Sequence, residues 1–453
     1  MKLWRRRAVY ISFFVIFFIG APILIFYTAG YKFNFKNFKV EKTGILVLET
    51  KPKDAKIYIN DNLVEYTTPA QINNFLPNFY HIKLQKEGYH SWQKTLKLES
   101  NLTTFAKGII LFKQSLPILK TSGDIVDIKY LSGKDSVLYL LKDQERYELR
   151  LLNLNSENDQ LVYKFLAGEN INFKNIKTSS NQNKILVNIN TSIPKILVIN
   201  INTLESSDLF ELTKTSYELI RWSDTGDGVI YGYNAGILYQ IDLVTNIVSR
   251  ILAAQINDFK IENLYAYYIS PDNLITKINT INSDEIESVK LPANSNFSFD
   301  LEPSDYLSLI DKQSGELIIL DDNVFETEDN VLDSIIMQAD TFNTVWTKES
   351  KNLLHYTDFE LWVYNFDSSE NTLLNRMSKD VLNAFWYTDN KYVVYQTNNE
   401  IKITELDSRD KRNDTVLTKM ENIYDSFLSD DGEKVYFSGV LGNQQGIFEL
   451  QIR

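Results

Sequence analysis

A short apolar motif recurs along the sequence from about residue 116 to the C-terminus. Each copy is followed by a polar turn and a second apolar strand, and a third strand and a short fourth strand complete most units. Successive copies start about 40–49 residues apart. The clear copies are residues 127–130, 175–178, 219–222, 343–346, 383–386 and 425–428, and two weaker copies fall around 265–275 and 297–310. Such a period restricts this region to folds that stack copies of one small sheet.

The repeat predicts a β-propeller over residues 114–453. Four short strands at a period near 40–45 residues are typical of a propeller blade, because one twisted four-stranded sheet cannot bury both of its faces alone. Blades stacked around an axis cover one another's faces and leave only short edges. We count eight candidate units, or seven if the two weaker copies are merged, so the sequence predicts a seven- or eight-bladed propeller.

The two ends of this region predict how the ring closes. The last unit offers three strands, at residues 424–428, 434–438 and 446–452, and the sequence then ends. Upstream of the first full unit lies an isolated apolar segment, residues 116–120. We expect this segment to supply the outer strand of the last blade, so that both ends of the region share one sheet.

The N-terminus carries a second strong pattern. Residues 8–29 contain no charged side chain and follow four basic side chains within the first seven residues. Roughly 20 apolar residues form a helix long enough to cross the hydrocarbon core of a bilayer. A cleaved signal peptide has a shorter apolar region and a small-x-small cleavage site, and Tyr27 fits such a site poorly. The sequence favours an uncleaved transmembrane helix over a cleaved signal.

Charges on either side of this helix predict its orientation. Four basic side chains precede it and three spaced lysines follow it. The excess of Lys and Arg stays on the cytoplasmic side of a membrane. We expect residues 1–7 to form a cytoplasmic tail, residues 8–29 the transmembrane helix and residues 30–43 a juxtamembrane linker. The rest of the chain is then extracytoplasmic, at the plasma membrane.

Residues 44–113 alternate apolar and polar side chains with period two, which is typical of half-buried strands in an antiparallel sheet. Along this region come, in order, Pro52, Ala55, Thr68-Pro69, Leu76-Pro77, His81 and Gly88-Tyr89. This order resembles the PEGA domain, a small all-β module common in bacterial surface proteins. Lys53-Asp54 replaces the middle of the eponymous motif, and Asn78 stands where glycine usually follows Leu-Pro. The resemblance implies a β-sandwich that serves as a spacer or adhesion-like module.

The repeat units resemble the TolB-type class of propellers, whose hairpin turn often reads Ser-x-Asp-Gly. Residues 429–432 fit this turn well, residues 223–226 fit it partly and residues 270–273 fit it loosely. The resemblance covers residues 114–453 and implies a fold rather than a ligand.

Composition argues against several functions. The chain has no Cys, which excludes disulfides, thiolate zinc sites and cysteine nucleophiles. Residues 114–453 hold 30 basic and 52 acidic side chains, a net charge of −22. Phosphate backbones bind clusters of Lys and Arg, so we expect no nucleic-acid partner and no flat binding to anionic lipid.

Few residues suggest catalysis or metal binding. The histidines are His81, His90 and His355, and two of them lie in predicted strands. No Gly-x-Ser-x-Gly elbow, His-Glu-x-x-His motif or phosphate-binding glycine loop occurs. The densest acidic cluster comprises Asp321, Asp322, Glu326, Glu328 and Asp329. Calcium binding there or at residues 224–228 is conceivable, but a solvated loop and a hairpin turn fit the spacing better.

Trp222, Trp346 and Trp386 recur at the same position of their units. Packing between blades explains this recurrence better than stacking on a carbohydrate. The sequence therefore predicts no catalytic, cofactor-binding or metal-binding residue, and no cofactor.

These patterns predict an all-β, membrane-anchored, non-enzymatic protein that binds an envelope protein or a glycan through loops of its propeller. A structural envelope protein is an alternative, and a propeller enzyme acting on polysaccharide or peptide is a less favoured one. The identity of the ligand and the oligomeric state are left open by the sequence.

Overall fold

The computed structural model describes residues 3–35, 38–144, 146–167, 169–171, 176–190, 195–281, 286–292, 296–300, 305–325 and 331–453. Contacts divide the chain into two units. The first unit comprises Met1–Leu116, Thr404–Leu417 and Gln451–Arg453, and the second comprises Pro117–Ile403 and Thr418–Leu450.

The first unit begins with helix α1 (Leu3–Thr28). Its segment Val9–Thr28 has a mean hydropathy of 2.6 and buries none of its surface, so it is long and apolar enough to cross a membrane. The predicted apolar N-terminal helix is thereby confirmed. A hairpin of strands β1 (Tyr31–Asn34) and β2 (Lys39–Lys42) follows, in the stretch that the sequence analysis assigned to a linker.

Seven further strands form two sheets of a β-sandwich. They are β3 (Gly44–Lys51), β4 (Lys56–Ile59), β5 (Asn62–Thr67), β6 (Ala70–Phe75), β7 (Asn78–Gln85), β8 (Trp92–Leu98) and β9 (Thr103–Ile110). The sheet orders are β6-β3-β9 and β5-β4-β7-β8, and β3 pairs with β9 in parallel, where the sequence predicted antiparallel strands only. Alternate apolar residues of both sheets, among them Leu46, Ile57 and Leu84, are fully buried in one shared core. The predicted sandwich is confirmed.

The two departures from the PEGA motif are accommodated differently. Asp54 adopts a left-handed conformation with φ of 64°, which Asp tolerates better than most residues other than glycine. The turn is closed by Thr68, whose Oγ1 accepts a hydrogen bond from the Ala55 amide at 3.0 Å. Asn78 does not need a positive φ, because it begins strand β7 as extended backbone.

Lys94 of β8 is a fully buried cation within the first unit. Its Nζ lies 2.6 Å from Glu405 Oε1 and donates a hydrogen bond to the Asp407 carbonyl at 2.7 Å. The other carboxylate oxygen of Glu405 accepts from Trp92 Nε1 at 2.9 Å, and Asn413 donates to Oε1 from its backbone and side-chain nitrogens. Burial of two charges is costly unless they are paired and hydrogen-bonded, and this arrangement meets both conditions.

Replacing Lys94 with Met should therefore leave the buried carboxylate of Glu405 without its positively charged partner. We expect a loss of about 3–5 kcal/mol in the free energy of unfolding, the usual result of leaving one buried charge unpaired. Lys97→Met, on the same strand, is the matched control because Lys97 and Glu99 pair at the surface, where such pairs contribute about 0–1 kcal/mol. Urea unfolding of the full chain in detergent measures both, and equal losses would contradict the assignment.

The second unit begins with strand β10 (Ile118–Ser122) and continues through eight sheets, which we number as blades 1–8. Blade 1 contains β11 (Asp124–Leu131), β12 (Ser136–Asp143), β13 (Arg146–Asn153) and β14 (Asp159–Lys164). Blade 2 contains β15 (Asn170–Ile171), β16 (Lys177–Thr178), β17 (Lys184–Asn190), β18 (Lys195–Asn200) and β19 (Ser206–Asp208), with β15 and β16 both paired to β17. A short helix, α2 (Leu209–Thr213), follows, N-capped by Asp208.

Blades 3–7 each contain four antiparallel strands. Blade 3 has β20 (Leu219–Trp222), β21 (Val229–Asn234), β22 (Ile237–Asp242) and β23 (Ile247–Ala253). Blade 4 has β24 (Asp258–Glu262), β25 (Tyr265–Ile269), β26 (Leu274–Asn279) and β27 (Ile286–Lys290). Blade 5 has β28 (Phe297–Phe299), β29 (Leu307–Asp311), β30 (Glu316–Leu320) and β31 (Ile335–Asp340), with 3-10 turns at Asp322–Phe325 and Val331–Ser334.

Blade 6 has β32 (Asn343–Trp346), β33 (Asn352–Tyr356), β34 (Glu360–Asn365) and β35 (Glu370–Arg376). Blade 7 has β36 (Asn383–Trp386), β37 (Tyr392–Gln396), β38 (Glu400–Glu405) and β39 (Asp414–Lys419). Blade 8 has β40 (Asn422–Leu428), β41 (Lys434–Leu441) and β42 (Gln444–Gln451), joined by β10 in the order β10-β42-β41-β40.

Apolar side chains join neighbouring blades. Buried clusters span blades 1 and 2, 2 and 3, 3 and 4, 4 and 5, and 5 and 6. Another cluster joins blade 8 to blade 1, where the Tyr130 ring stacks on Phe427 at 4.7 Å between centroids. Blade 8 therefore returns to blade 1, and the described residues form a closed, eight-bladed propeller. The predicted all-β fold class is confirmed, with eight blades rather than seven.

The closure prediction is also confirmed. Ile118 pairs with Glu449 and Leu119 with Phe448, so the strand upstream of blade 1 completes the outer edge of blade 8.

One repeat assignment was wrong in detail. Residues 265–269 form the second strand of blade 4, and its first strand is β24 (Asp258–Glu262). The continuously apolar run Tyr-Ala-Tyr-Tyr-Ile resembles a buried inner strand in sequence, although the preceding Asp258–Glu262 is the strand that occupies this place.

Gly446 of β42 offers a test of closure. A Cβ at this position would collide with the Thr121 carbonyl oxygen of β10 and approach Leu119 Cδ1 to 2.9 Å. We expect Gly446→Ala to cost about 1–3 kcal/mol of unfolding free energy, as overpacking does. Gly228→Ala is the control, since its Cβ would meet only Val244 Cγ2 at 3.7 Å. Denaturation followed by tryptophan fluorescence should separate the two variants, and indistinguishable midpoints would refute a structural role for this pairing.

Candidate functional site

The innermost strands of four consecutive blades each carry a cation at the third position of the repeated motif. These residues are Lys129, Lys177, Arg221 and Lys260, which we call the basic arc. At the same motif position, blades 5–8 carry Phe299, Val345, Phe385 and Phe427. One half of this ring of positions is therefore cationic and the other half is apolar.

Members of the basic arc bond from one blade to the next. Lys129 Nζ donates to the Ile176 carbonyl at 3.1 Å, and Lys177 Nζ donates to the Ile220 carbonyl at 2.8 Å. Arg221 forms an ion pair with Asp258, whose second carboxylate oxygen accepts from the Phe299 amide at 3.0 Å. These bonds hold Lys129, Lys177 and Arg221 in fixed positions against the following blade.

The cations also repel one another. The pKa of Lys177 falls from its usual 10.5 to about 8, because burial disfavours its charge and the neighbouring charges of Arg221 and Lys129 add to that effect. The carboxylate of Asp258 opposes the shift without reversing it. The surroundings of Lys177 thus disfavour its positive charge.

The basic arc lines a cavity of about 950 Å³ at the end of the inner strands where they turn into the second strands. Trp222 and Trp346 contribute aromatic surface to it, and Lys348 adds a further cation. The acidic side chains that line the cavity are Asp224, Glu262 and Asp305. Glu262 lies 3.2 Å from Lys260, so it balances that member of the arc.

Several polar side chains of the cavity are hydrogen-bonded to backbone groups. Asp224 Oδ2 accepts from the Asn263 amide at 2.7 Å, Ser180 donates to the Gly226 carbonyl, and Ser350 Oγ accepts from the Asp305 amide. No histidine lines the cavity in the part of the chain that the structure describes. Chemically, the arrangement is suited to holding an anion.

The recurring tryptophans act between blades, as the sequence analysis favoured. Trp222 Nε1 donates to the Lys177 carbonyl at 2.9 Å, and Trp386 Nε1 donates to the Val345 carbonyl at 2.9 Å. Trp346 Nε1 reaches Asp300 Oδ2 at 3.4 Å. Each indole bonds to the preceding blade, so these rings are structural ties, two of which also face the cavity.

The Ser-Asp turns of blades 3 and 8 each bond to the following blade. In blade 3, Asp224 accepts from the Asn263 amide of blade 4. In blade 8, Asp430 accepts from Ser132 Oγ at 2.7 Å and from the Gly133 amide at 2.6 Å in blade 1. Residues 224–228 form the hairpin turn that the spacing favoured over a calcium loop, with Gly226 at φ of 79°. The loosely fitting turn at 270–273 connects the second and third strands instead.

The three histidines lie apart from the basic arc. His81 is in β7, and the His90 amide donates to the Phe112 carbonyl. His355 is buried in β33, where Nε2 and Asn371 Oδ1 are 3.0 Å apart. Burial lowers the pKa of His355 below 6.5, and its bond to Asn371 only partly opposes this shift. His355 has the environment of a neutral, structural strand residue.

Most of the acidic cluster lies outside the residues that the structure describes. Glu326, Glu328 and Asp329 fall outside the described residues, and Asp321 is placed at the end of blade 5, where its amide donates to the Ser334 carbonyl. Among the described residues, no group of three or more His, Cys, Asp or Glu side chains could hold a metal ion.

The basic arc was missed by the sequence analysis, although three of its members stood in the quoted motifs. The signal was the third motif position, which reads Lys, Lys, Arg and Lys in blades 1–4. Lys260 was hidden because blade 4 was read one strand too late. The average charge of the region also concealed a local cluster of opposite sign.

The fold and its cavity define a β-propeller protein that carries a second, sandwich domain. Residues 43–108 match the family model described as the PEGA domain, which confirms the resemblance seen in the sequence. No curated protein sequence matches the chain.

Solved structures are similar to about three quarters of the chain. They include Sqt1 of Saccharomyces cerevisiae, at 11% identity over 75% of this chain and 99% of that one, with a TM-score of 0.48. BamB from Moraxella catarrhalis is 10% identical over 76% and 100%, with a TM-score of 0.42. A chain of the mitotic checkpoint complex is 9% identical over 75% and 93%, with a TM-score of 0.42. The strand pairing described above establishes the propeller without relying on these likenesses.

His355 gives a pH dependence of stability. In the unfolded chain its pKa is near 6.5, and in the folded chain it is lower. Between these two values the unfolded state binds more protons, so acidification through this window destabilises the fold. We expect His355→Gln to reduce the fall in melting temperature between pH 7.5 and pH 5. Thermal unfolding of both proteins across that range checks this, and parallel curves would contradict it.

Proposed function

We propose that this protein is a membrane-anchored, extracytoplasmic, non-enzymatic binding protein whose propeller holds its ligand at the central cavity. The observation that carries the proposal is the cavity of about 950 Å³ lined by the basic arc. Side chains from four consecutive blades meet there, and binding sites are concave surfaces where a few polar groups converge.

Anchoring is supported by the N-terminal helix. Val9–Thr28 is uncharged, exposed and long enough to span a bilayer. The four basic side chains before it favour a cytoplasmic N-terminus. PEGA domains are common in bacterial surface proteins, which agrees with the matched region lying outside the cytoplasm. In chain order the sandwich domain follows the helix and precedes the propeller, so it would act as a spacer between the membrane and the propeller.

A non-enzymatic role is supported by the state of the polar groups. The hydroxyls of Ser180 and Ser350 are hydrogen-bonded to backbone groups, Asp224 accepts a hydrogen bond from the Asn263 amide, and Glu262 pairs with Lys260. A hydrolase of polysaccharide or peptide needs a nucleophile or a water molecule with a base, whereas a binding site for an anion needs an excess of fixed cations. The described cavity residues include five cations and three carboxylates, which supports binding of an anion.

Topology can be tested with single cysteines, because the natural sequence has none. Glu433→Cys places a thiol on the exposed turn between β40 and β41. In intact cells we expect a membrane-impermeant maleimide to label this thiol. A cysteine inserted after Met1 should react only after permeabilisation. The reverse pattern would overturn the proposed orientation, and loss of the N-terminal thiol from the mature chain would indicate cleavage.

The binding role is tested by in-cell cross-linking of the full chain, followed by isolation from the membrane fraction. Lys348→Glu reverses an exposed charge at the cavity and should abolish one cross-linked product. Lys351→Glu, an exposed residue that does not line the cavity, should retain it. A product that is insensitive to both variants, or self-association alone, would refute binding at the cavity and favour a structural envelope role.

A further inference from the structure

The basic arc stands out against the composition of its surroundings. Residues 114–453 carry a net charge of −22, yet blades 1–4 place a cation at the same inner-strand position in succession. A structural tie between blades does not require a cation there. Blades 5–8 complete the same ring with Phe or Val at that position, so packing between blades does not account for the four cations.

The charges of the arc are only partly satisfied. Asp258 pairs with Arg221, and Glu262 pairs with Lys260. Lys177 Nζ donates to a neutral backbone carbonyl. Arg221 Nε is buried and has no hydrogen-bond partner among the described residues. Burying a polar donor without a partner costs free energy, and a bound acceptor would recover it.

We propose that the basic arc binds the phosphate group of an anionic ligand, and that this phosphate is the feature recognised by the binding function proposed above. Phosphate offers several strong acceptor oxygens and more than one negative charge. It therefore matches adjacent Lys and Arg donors better than a single carboxylate does. The cavity is far larger than a phosphate group, so the remainder of the ligand has room beside Trp222 and Trp346.

The depressed pKa of Lys177 agrees with this assignment. Burial and the neighbouring cations Arg221 and Lys129 oppose its positive charge, and only the carboxylate of Asp258 favours it. A bound anion would counteract the burial and the repulsion, and would keep the ammonium group protonated. The free site thus carries electrostatic repulsion that an anionic ligand relieves.

Two sources of phosphate are consistent with this chemistry, namely a small soluble phosphate compound and a phosphodiester polymer of the cell envelope. Isothermal titration of the full chain in a non-ionic detergent, at low salt, separates them. Pyrophosphate serves as the small probe and a synthetic glycerol-phosphate hexamer as the polymer probe. Succinate serves as the dicarboxylate control.

We expect saturable binding of at least one phosphate probe, with weaker or no binding of succinate and an affinity that falls as salt is added. Lys177→Gln should weaken binding about tenfold, the effect of removing one charge-assisted hydrogen bond. Lys290→Gln, on the exposed outer strand of blade 4, should leave the affinity unchanged. Lys129→Gln provides a second arc variant, and circular dichroism establishes that each variant is folded.

The absence of saturable binding of both phosphate probes by the folded wild-type chain would overturn the assignment. Unchanged affinity in both folded arc variants, or equally tight binding of succinate, would also overturn it. These outcomes are distinct from failure of the proposed function. Cysteine labelling and cavity-dependent cross-linking report on topology and partner binding whether or not the ligand carries phosphate.

Discussion

The pairing of β10 with β42 is the constraint on which the second unit depends. Each blade is one twisted sheet that hides its faces only by lying between two neighbours. An open array would leave two terminal faces and two long strand edges exposed to other chains. Closing blade 8 with the strand that precedes blade 1 removes both problems together. The apolar clusters, tryptophan ties and Ser-Asp turns then operate within a continuous ring.

The same backbone positions serve both cohesion and recognition. Inner strands must lie close together around the axis, so their side chains and carbonyls are near the next blade. Lys129 and Lys177 use this proximity to bond to the following blade, and Trp222 uses it to bond to the preceding one. The rigid spacing needed for a stable ring therefore also presents charged groups at fixed separations. Preorganised charges bind a ligand without the entropic cost of ordering flexible side chains.

Much of the fold was predictable because it follows from local patterns. Alternating apolar residues, polar turns and a fixed period predicted the blades, and a count of strands at the two ends predicted the closure. Prediction was wrong for blade 4, where the second strand is more continuously apolar than the first. The PEGA residues were informative because each occupies a set place in a short run of strands and turns. Asp54, for example, takes over the left-handed position of the motif's glycine.

The site was not predictable by the same means. Its members are separated in sequence, and only the register of four inner strands brings them to one cavity. Lys94 and Glu405 illustrate the same limit, since nothing in the sequence near either residue indicates that the other is its partner. The net charge of residues 114–453 is an average, so it does not reveal a local cluster of cations. Spatial clustering of like charges within an acidic domain becomes visible only once the strands are placed.

Closure by the two ends of the repeat region also dictates an order of events during synthesis. Strand β10 leaves the ribosome before any blade, and its partner β42 is the last strand of blade 8. Until blade 8 is made, β10 is an unpaired edge, and blades 1 and 7 each lack one neighbour. A growing chain in this state is prone to pairing with other unfolded segments. The design therefore places the greatest demand on chaperones late in translation, when nearly the whole propeller exists but its ring is still open.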